Sequence, residues 1–209
     1  MIALVDYGMG NIRSVRNALV AAGAEVLVTA TPEGLKEAGG IIIPGVGAFS
    51  DGMANLNRAG FIGALQEQVL AAKKPYLGIC LGMQFLAEKS LEGGTWQGLS
   101  YLKGTVERLA PVDKEKFKIP HMGWNNVELT RPCPLFEGVG DNPVFYFVHS
   151  YHFAAHGDDV TGICRHGQPV VAAVWKENLF GVQFHPEKSQ GMGLKVLENF
   201  CRLAEGGHG

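Results

Sequence analysis

Tyr76-Leu77-Gly78-Ile79-Cys80-Leu81-Gly82-Met83-Gln84 places one cysteine between two glycines, directly after a short apolar run. The apolar run predicts a buried strand, and the residues after Cys80 predict a helix that continues through Ala87. Gly-x-Cys-x-Gly at a strand-to-helix junction is typical of a nucleophile elbow, the cysteine counterpart of the Gly-x-Ser-x-Gly turn. Glycine is expected two residues to either side because side chains there would collide across so sharp a turn. The helix amides would favour a thiolate at Cys80. Taken alone, the pattern also fits a buried cysteine between incidental glycines.

A second stretch, Phe180-Gly181-Val182-Gln183-Phe184-His185-Pro186-Glu187, supplies what a cysteine nucleophile needs. It predicts a strand that ends just before His185. Residues two apart in extended chain point the same way, so Glu187 can hold one imidazole nitrogen while the other faces a thiol. By itself the His-Pro-Glu sequence fits a surface pair at a strand end. Joined to the cysteine elbow a hundred residues upstream, it favours a Cys-His-Glu nucleophilic triad.

Composition restricts the class of protein. The chain has 209 residues, 46% of them hydrophobic and 18% charged, which is ordinary for a globular protein with a sizeable core. The net charge of -2 gives no electrostatic footprint for nucleic acid or for an anionic membrane. The N-terminus lacks the pattern of a signal peptide, and no apolar run is long enough for a membrane span. We therefore expect neither a nucleic-acid nor a membrane partner.

Four cysteines stand at positions 80, 133, 164 and 201, and no Cys-x-x-Cys pair occurs. These spacings indicate neither a disulfide framework nor a zinc finger. They predict a cytoplasmic location, where thiols stay reduced.

The order of predicted elements is that of an α/β domain. Residues 2–5, 25–29, 40–43 and 76–79 predict buried strands, with helical patterns between them. From Gly104 onward, short alternating runs predict an antiparallel or mixed extension of the sheet. No low-complexity linker or repeat divides the chain, so we expect one domain, residues 1–209.

Three further features admit more than one interpretation. Gly8-x-Gly10 follows the first strand, but the third glycine of a dinucleotide fingerprint is missing, so a turn that needs glycine is the main alternative to a nucleotide site. Pro44-Gly45-Val46-Gly47 is either a candidate oxyanion loop, with exposed amides beside the nucleophile, or an ordinary glycine-rich loop. A group of histidines with a nearby cysteine could bind a metal, but the spacings match no known ligand pattern: His149, His152, His156, Cys164 and His166.

Together, Pro44-Gly45-Val46-Gly47, the Cys80 elbow and His185-Pro186-Glu187 make the chain resemble the class I (triad-type) glutamine amidotransferases. Further stretches are similar to the glutaminase subunits of imidazole glycerol phosphate synthase, from histidine biosynthesis: Asp6-Tyr7-Gly8-x-Gly10-Asn11, Pro120-His121-Met122-Gly123-Trp124-Asn125, Tyr146-Phe147-Val148-His149-Ser150-Tyr151 and the ending Pro-Glu-Lys-Ser at Ser189. The similarity runs over nearly the whole chain.

The resemblance implies a flavodoxin-like α/β fold, with a central mixed, mostly parallel sheet and helices on both faces. It implies that Cys80 attacks the side-chain amide of glutamine, that His185 carries the proton to the departing ammonia, and that Glu187 orients His185. The amides of Gly47 and Leu81 are the implied oxyanion donors, and the loop at Val46-Gly47 is expected to flip an amide when the partner is loaded.

The resemblance also implies a glutamine site and a partner. Four residues match positions that hold the backbone end of glutamine: Gln84, Glu92, Ser150 and Tyr151. The expected partner is the cyclase subunit, a (β/α)8 barrel that consumes the ammonia and makes imidazole glycerol phosphate and AICAR. Four residues match positions near the interface in such a heterodimer: Asn11, Trp124, Tyr146 and Lys188. No cofactor and no metal are expected. As alternatives to the interface, Trp124 and Tyr146 could be core aromatics and Lys188 a solvated charge.

Two other functions compete with this one. The same triad could serve another acceptor, as in the glutaminase subunit of pyridoxal phosphate synthase or a γ-glutamyl hydrolase, although the stretch Pro120–Trp124 argues against both. The chain could instead be a non-catalytic module that retained the fold, but such a module would be expected to lose a triad member, and all three are present.

Overall fold

A computed structural model describes residues 1–206 of the chain. Its α-helices are α1 (Ile12–Ala21), α2 (Gly34–Glu37), α3 (Phe49–Arg58), α4 (Phe61–Leu65, continued by the π-helical Gln66–Ala71), α5 (Leu81–Gln84) and α6 (Gln190–Gly206). Short 3-10 helices lie at Pro134–Phe136, Gly157–Asp159 and Pro186–Lys188. Its strands are β1 (Ile2–Val5), β2 (Val26–Thr29), β3 (Gly40–Ile43), β4 (Tyr76–Ile79), β5 (Lys89–Ser90), β6 (Trp96–Gln97), β7 (Gly104–Arg108), β8 (His121–Asn126), β9 (Glu128–Leu129), β10 (Val144–His149), β11 (Tyr151–Ala155), β12 (Val160–Arg165), β13 (Pro169–Lys176) and β14 (Leu179–Val182). None of the described helices is both long and apolar enough to cross a bilayer.

The central sheet has eight strands in the order β2-β1-β3-β4-β14-β13-β12-β9. The five strands from β2 to β14 run parallel, and the pairs from β14 to β9 are antiparallel. The predicted mixed, mostly parallel sheet is thus confirmed. The pairing of β4 with β14 joins the cysteine stretch to the histidine stretch, with Gly78 opposite Gly181 and Ile79 opposite Val182. The two candidate catalytic segments therefore leave the sheet at the same edge.

Helices cover both faces of this sheet, as predicted. The alternation along β1 shows the division, since Ile2 and Leu4 pack into one core cluster while Ala3 and Val5 pack into the other. The first cluster also contains the apolar sides of α1 and α6. The second contains those of α2, α3, α4 and α5. Because both faces are covered, the parallel strands read as continuous apolar runs in the sequence.

The predicted extension of the sheet after Gly104 is right only for part of that region. Strands β12 and β13 continue the central sheet, with β9 at its edge. Strands β7 and β11 instead form a separate four-stranded sheet with β5 and β6, and β8 pairs with β10 as a two-stranded ribbon. Alternating patterns identify strands but not their partners, so this division was not available from the sequence.

The helix after Cys80 is shorter than predicted, because α5 ends at Gln84 rather than at Ala87. The carbonyl groups of Phe85, Leu86 and Ala87 do not continue the helix. They accept hydrogen bonds from the amides of residues 99–102, at 2.8–3.0 Å. The competing tertiary bonds end the helix after about one turn.

The glycines around Cys80 are required by close contacts. A Cβ atom on Gly82 would collide with the carbonyl oxygen of Ile43 in β3. A Cβ atom on Gly78 would collide with the backbone of Gly82 itself. The sequence-based steric argument for glycine at both positions is therefore confirmed.

Two buried histidines link the β8–β10 ribbon to the start of β11. The carbonyl of Tyr151 can only accept, so His149 Nδ1 carries the proton of their 2.9 Å bond, and His149 Nε2 accepts from His121 Nδ1 at 3.0 Å. His121 Nε2 then accepts from the amide of Asn125 at 3.1 Å. Burial and, to a smaller extent, the neighbouring histidines lower the pKa of His121 to about 4 and that of His149 to about 3.

Gly82→Ala is expected to destabilise the protein by about 3 kcal/mol, because the new methyl group meets backbone that cannot move away cheaply. Gly63→Ala is the matched control. Gly63 lies in α4 with nothing within 4 Å of an added Cβ, so this change should stabilise by about 0.5–1 kcal/mol through helix propensity. Urea unfolding of both variants measures the difference, and equal midpoints would contradict the steric argument.

The buried histidines should make stability fall on acidification. Both pKa values lie below the ordinary 6.5, so the unfolded chain binds protons that the folded chain does not. Their contribution is present above pH 6.5 and is lost progressively as the pH falls toward 4. In urea titrations between pH 7 and 4.5, His121→Gln should flatten the loss by up to about 1.4 kcal/mol per pH unit. The control His156→Gln, at an exposed histidine, should follow the wild type.

Candidate active site

Cys80 lies at the turn between β4 and α5 in a backbone conformation with positive φ, at φ +53° and ψ -105°. This conformation is rare for a residue with a side chain. Its amide donates to the carbonyl of Val182 at 2.8 Å, which ties the turn to β14. The side chain lines a cavity although the residue is only 6% exposed. The arrangement is that of a nucleophile elbow.

His185 and Glu187 form a buried pair behind the cysteine. His185 Nδ1 lies 2.8 Å from Glu187 Oε1, and the two side chains are only 3% and 2% exposed. The backbone on both sides of the ring is held as well, since the His185 amide donates to Tyr146 O at 2.9 Å and the Ser189 hydroxyl donates to His185 O at 2.6 Å. Within residues 1–206, His185 Nε2 has no hydrogen-bond partner. This nitrogen is the one that Glu187 leaves available in the site.

The charge balance of the pair favours an imidazolium. Burial opposes the charged form of His185, but the Cys80 thiolate and the Glu187 carboxylate outweigh burial and raise its pKa to about 10. A ring with that pKa holds the proton that the thiol gives up. The site therefore favours a protonated His185 ring.

One cavity of about 300 Å³ brings the predicted small-molecule residues together. Lining it with Cys80 are Gly47, Leu81, Gln84, Glu92, Ser150 and Tyr151. A volume at the lower end of the range for ligand sites suits a compact polar molecule. The Glu92 carboxylate is fixed at the rim because it accepts from the amide of Phe49 at 2.8 Å.

The two candidate oxyanion amides, those of Gly47 and Leu81, differ in their hydrogen bonding. Gly47 has φ +101°, and its amide makes no backbone hydrogen bond among the described residues. The Leu81 amide is directed at the carbonyl of Gly45, at the long distance of 3.4 Å. The Tyr7 hydroxyl holds the loop that contains Gly45 and Gly47, because it donates to the Pro44 carbonyl at 2.9 Å. A substrate oxygen would have to replace the Gly45 carbonyl to use both amides.

Sequence reasoning missed Gln183, whose Nε2 donates to Cys80 Sγ at 3.5 Å. Gln183 lies directly after β14, two residues before His185. The prediction of extended chain from His185 to Glu187 is wrong, because Pro186–Lys188 forms a 3-10 helix, and this turn brings Glu187 to His185 Nδ1. Sequence reasoning also missed that His149 lines the cavity. No spacing identifies that histidine, which the fold alone brings to the site.

The predicted interface residues lie close to the histidine turn. The rings of Trp124 and Tyr146 meet edge to face at 5.9 Å, and Lys188 Nζ lies 5.7 Å from the centre of the Tyr146 ring. Trp124 is 49% exposed, so it is not a core aromatic. Asn11 is exposed and accepts from the Ser14 amide, which caps the start of α1.

The other predicted sites do not assemble. Within the described residues, no group of three or more His, Cys, Asp or Glu side chains is arranged to hold a metal ion. His149 uses both ring nitrogens in hydrogen bonds, and His166 Nε2 lies 2.7 Å from the Lys118 carbonyl. A Cβ on Gly10 would meet Pro44 at 3.5 Å, so the N-terminal glycine turn packs against the oxyanion loop. All four cysteines are free and buried.

Comparison with known proteins agrees with this geometry. Residues 3–204 match the family model described as glutamine amidotransferase class-I. Subunit HisH 1 of imidazole glycerol phosphate synthase from Campylobacter jejuni strain RM1221 is 46% identical over 97% of this chain and all of its own length. The HisH subunit from Moorella thermoacetica is 49% identical, over 97% of this chain and 94% of its own length.

Solved structures share the fold at lower identity. A crystal structure of a glutamine amidotransferase superposes with a TM-score of 0.76 at 21% identity, over 98% of this chain and all of its own. The structure of PurLQS from Thermotoga maritima superposes with a TM-score of 0.74 at 20% identity, over 96% of this chain and 97% of its own. The family model and the full-length sequence relatives decide the assignment: the chain belongs to the class-I glutamine amidotransferases and, among them, to the HisH subunits of imidazole glycerol phosphate synthase.

Proposed function

We propose that this chain hydrolyses glutamine to glutamate and ammonia through Cys80, His185 and Glu187, and passes the ammonia to a cyclase subunit that makes imidazole glycerol phosphate and AICAR. Residues 1–209 act as one amidotransferase domain. The observation that carries the proposal is the 2.8 Å contact of the buried His185–Glu187 pair, beside a cysteine that lines a small cavity.

The triad divides the work between three groups. Cys80 gives its proton to His185 Nε2, and the sulfur adds to the side-chain amide carbon of glutamine. Collapse of the tetrahedral intermediate breaks the C–N bond, and the His185 proton leaves with the ammonia. His185 then takes a proton from water, which hydrolyses the γ-glutamyl thioester to glutamate and restores the thiol. Glu187 fixes the ring tautomer and stabilises the imidazolium at each stage.

The cavity residues account for substrate position. The amides of Gly47 and Leu81 stabilise the oxyanion once the Gly45 carbonyl has moved off the Leu81 amide. Glu92 complements the α-ammonium group of glutamine by charge. Ser150, Tyr151 and Gln84 complete the surface that holds the backbone end of the substrate.

The partner is proposed from the names of the relatives, which are subunits of imidazole glycerol phosphate synthase. A (β/α)8-barrel cyclase would dock on the surface of Asn11, Trp124, Tyr146 and Lys188. Exposed aromatic area beside a cation is typical of an interface. The place of action is the cytoplasm, which suits a protein whose four cysteines are free.

Glutamate release should depend on both Cys80 and the loaded partner. We expect the wild-type chain to release glutamate slowly alone, and much faster with the cyclase subunit and its ribulosyl substrate, because substrate loading favours the open oxyanion amides. Cys80→Ala should abolish release in both conditions. Cys133→Ala, at a buried cysteine away from the cavity, is the control. Release that requires Cys80 but ignores the partner would retain the triad and reject the pathway.

Glu187→Gln should lower kcat by about 10²–10⁴-fold with little change in KM, because the amide neither stabilises the imidazolium nor fixes the same tautomer. Steady-state kinetics of the partner-activated enzyme measure this change. Glu198→Gln removes a half-exposed carboxylate that pairs with Lys195 at 3.2 Å, and it should leave both constants unchanged. A kcat within threefold of wild type in Glu187→Gln would remove Glu187 from the triad.

A further inference from the structure

We propose that Gln183 is a further catalytic residue, whose side-chain amide donates a hydrogen bond to the Cys80 thiolate and holds the sulfur in position. Gln183 follows β14 directly and is fully buried, with 0% exposure. Its Nε2 lies 3.5 Å from Cys80 Sγ. The amide is therefore shielded from solvent, which strengthens a hydrogen bond to a charged sulfur.

The orientation of the Gln183 amide is determined by its neighbours. Gln84 Nε2 lies 2.9 Å from the Tyr151 carbonyl, which can only accept, so this atom of Gln84 is a donor. The same nitrogen lies 3.2 Å from Gln183 Oε1. A reversed Gln183 amide would set two NH₂ groups against each other and its oxygen against the sulfur. The N–H of Gln183 must therefore face Cys80.

This donor supplies what the elbow otherwise lacks. An N–H directed at a sulfur favours the charged form over the neutral thiol. The helix after Cys80 is only four residues long, and the Leu81 amide is directed at Gly45, so backbone donors give little support before substrate binds. His185 takes the proton, and Gln183 stabilises the thiolate that remains.

The contact is separate from the packing of the strand. The Gln183 backbone amide donates to the Ala172 carbonyl at 2.9 Å and keeps the chain in the sheet whatever the side chain is. The side chain makes its polar contacts with Cys80 and Gln84. Through Gln84, which lines the cavity, it also connects the nucleophile to the expected glutamine site.

The test is the pH dependence of Cys80 alkylation by iodoacetamide in the free chain, with Cys80→Ala as the background. Gln183→Met removes the donor at similar size and should move the half-maximal pH upward by about one to two units, as expected for loss of a hydrogen bond to a charged group. Gln183→Glu keeps the shape but sets a carboxylate against the sulfur, so the upward shift should be larger. If Gln183→Met fails to fold, the alkylation profile of Gln183→Glu tests the proposed hydrogen bond instead.

Asn199→Leu is the matched control, because Asn199 is another buried amide, bonded to the carbonyls of Leu135 and Glu137 at 2.9 and 2.8 Å in a different part of the core. It should lower stability without moving the alkylation profile. Unchanged profiles in the Gln183 variants, or the same shift in Asn199→Leu, would overturn the proposal.

The catalytic part of the proposal rests on the proposed glutaminase function. In the partner-activated enzyme, Gln183→Met should lower kcat about 10- to 100-fold and change KM less than threefold. A KM effect without a kcat effect would make Gln183 a binding residue instead and overturn the proposal. The alkylation assay needs no glutamine, so it tests Gln183 even if the wild-type chain hydrolyses none, which would refute the proposed function alone.

Discussion

The positive-φ conformation of Cys80 is the constraint on which the rest of the site depends. It exists because β3, β4 and α5 approach so closely that Gly78 and Gly82 have no room for a side chain. A strained residue persists only where its surroundings determine it fully. Here the parallel pairing of β4 with both β3 and β14 fixes the strand that leads into the turn. The turn directs the sulfur out of the sheet toward the cavity, and the same pairing brings the His185 stretch beside it.

Burying charged groups costs desolvation free energy, which other interactions in the site must offset. His185 and Glu187 are almost without solvent contact, and burial alone would keep the imidazole neutral. The neighbouring thiolate and carboxylate reverse this effect and raise the pKa of His185 to about 10. Removing either neighbour would leave the ring with an uncompensated desolvation cost. The members of the proposed triad therefore stabilise one another's charge, and their contributions to catalysis should not be additive.

The sequence predicted those parts of the fold and site that depend on local sterics and period. The need for glycine on both sides of Cys80 is readable without a structure. The contact of His185 with Glu187 was expected from extended chain, whereas a 3-10 turn over Pro186–Lys188 makes it. The division of the strands after Gly104 among three sheets was not readable, because alternation does not specify partners. The early end of α5 also depends on distant amides from residues 99–102. Gln183 was overlooked because a glutamine just after a strand carries no chemical signal of its own.

The amide of Leu81 belongs to the turn at Cys80 and is also a candidate oxyanion donor. In this conformation it is directed at the Gly45 carbonyl at 3.4 Å, a long and therefore weak bond that a substrate oxyanion could displace. Movement of the Gly45 carbonyl is also restrained, since Pro44 beside it is bonded to the buried Tyr7 hydroxyl. In the proposed mechanism, a partner need only favour the open loop by a few kcal/mol to change the active fraction by orders of magnitude. In that mechanism His185 and Gln183 stabilise the thiolate, and the oxyanion site opens only when the partner is loaded. Glutamine hydrolysis would then stay coupled to the use of its ammonia.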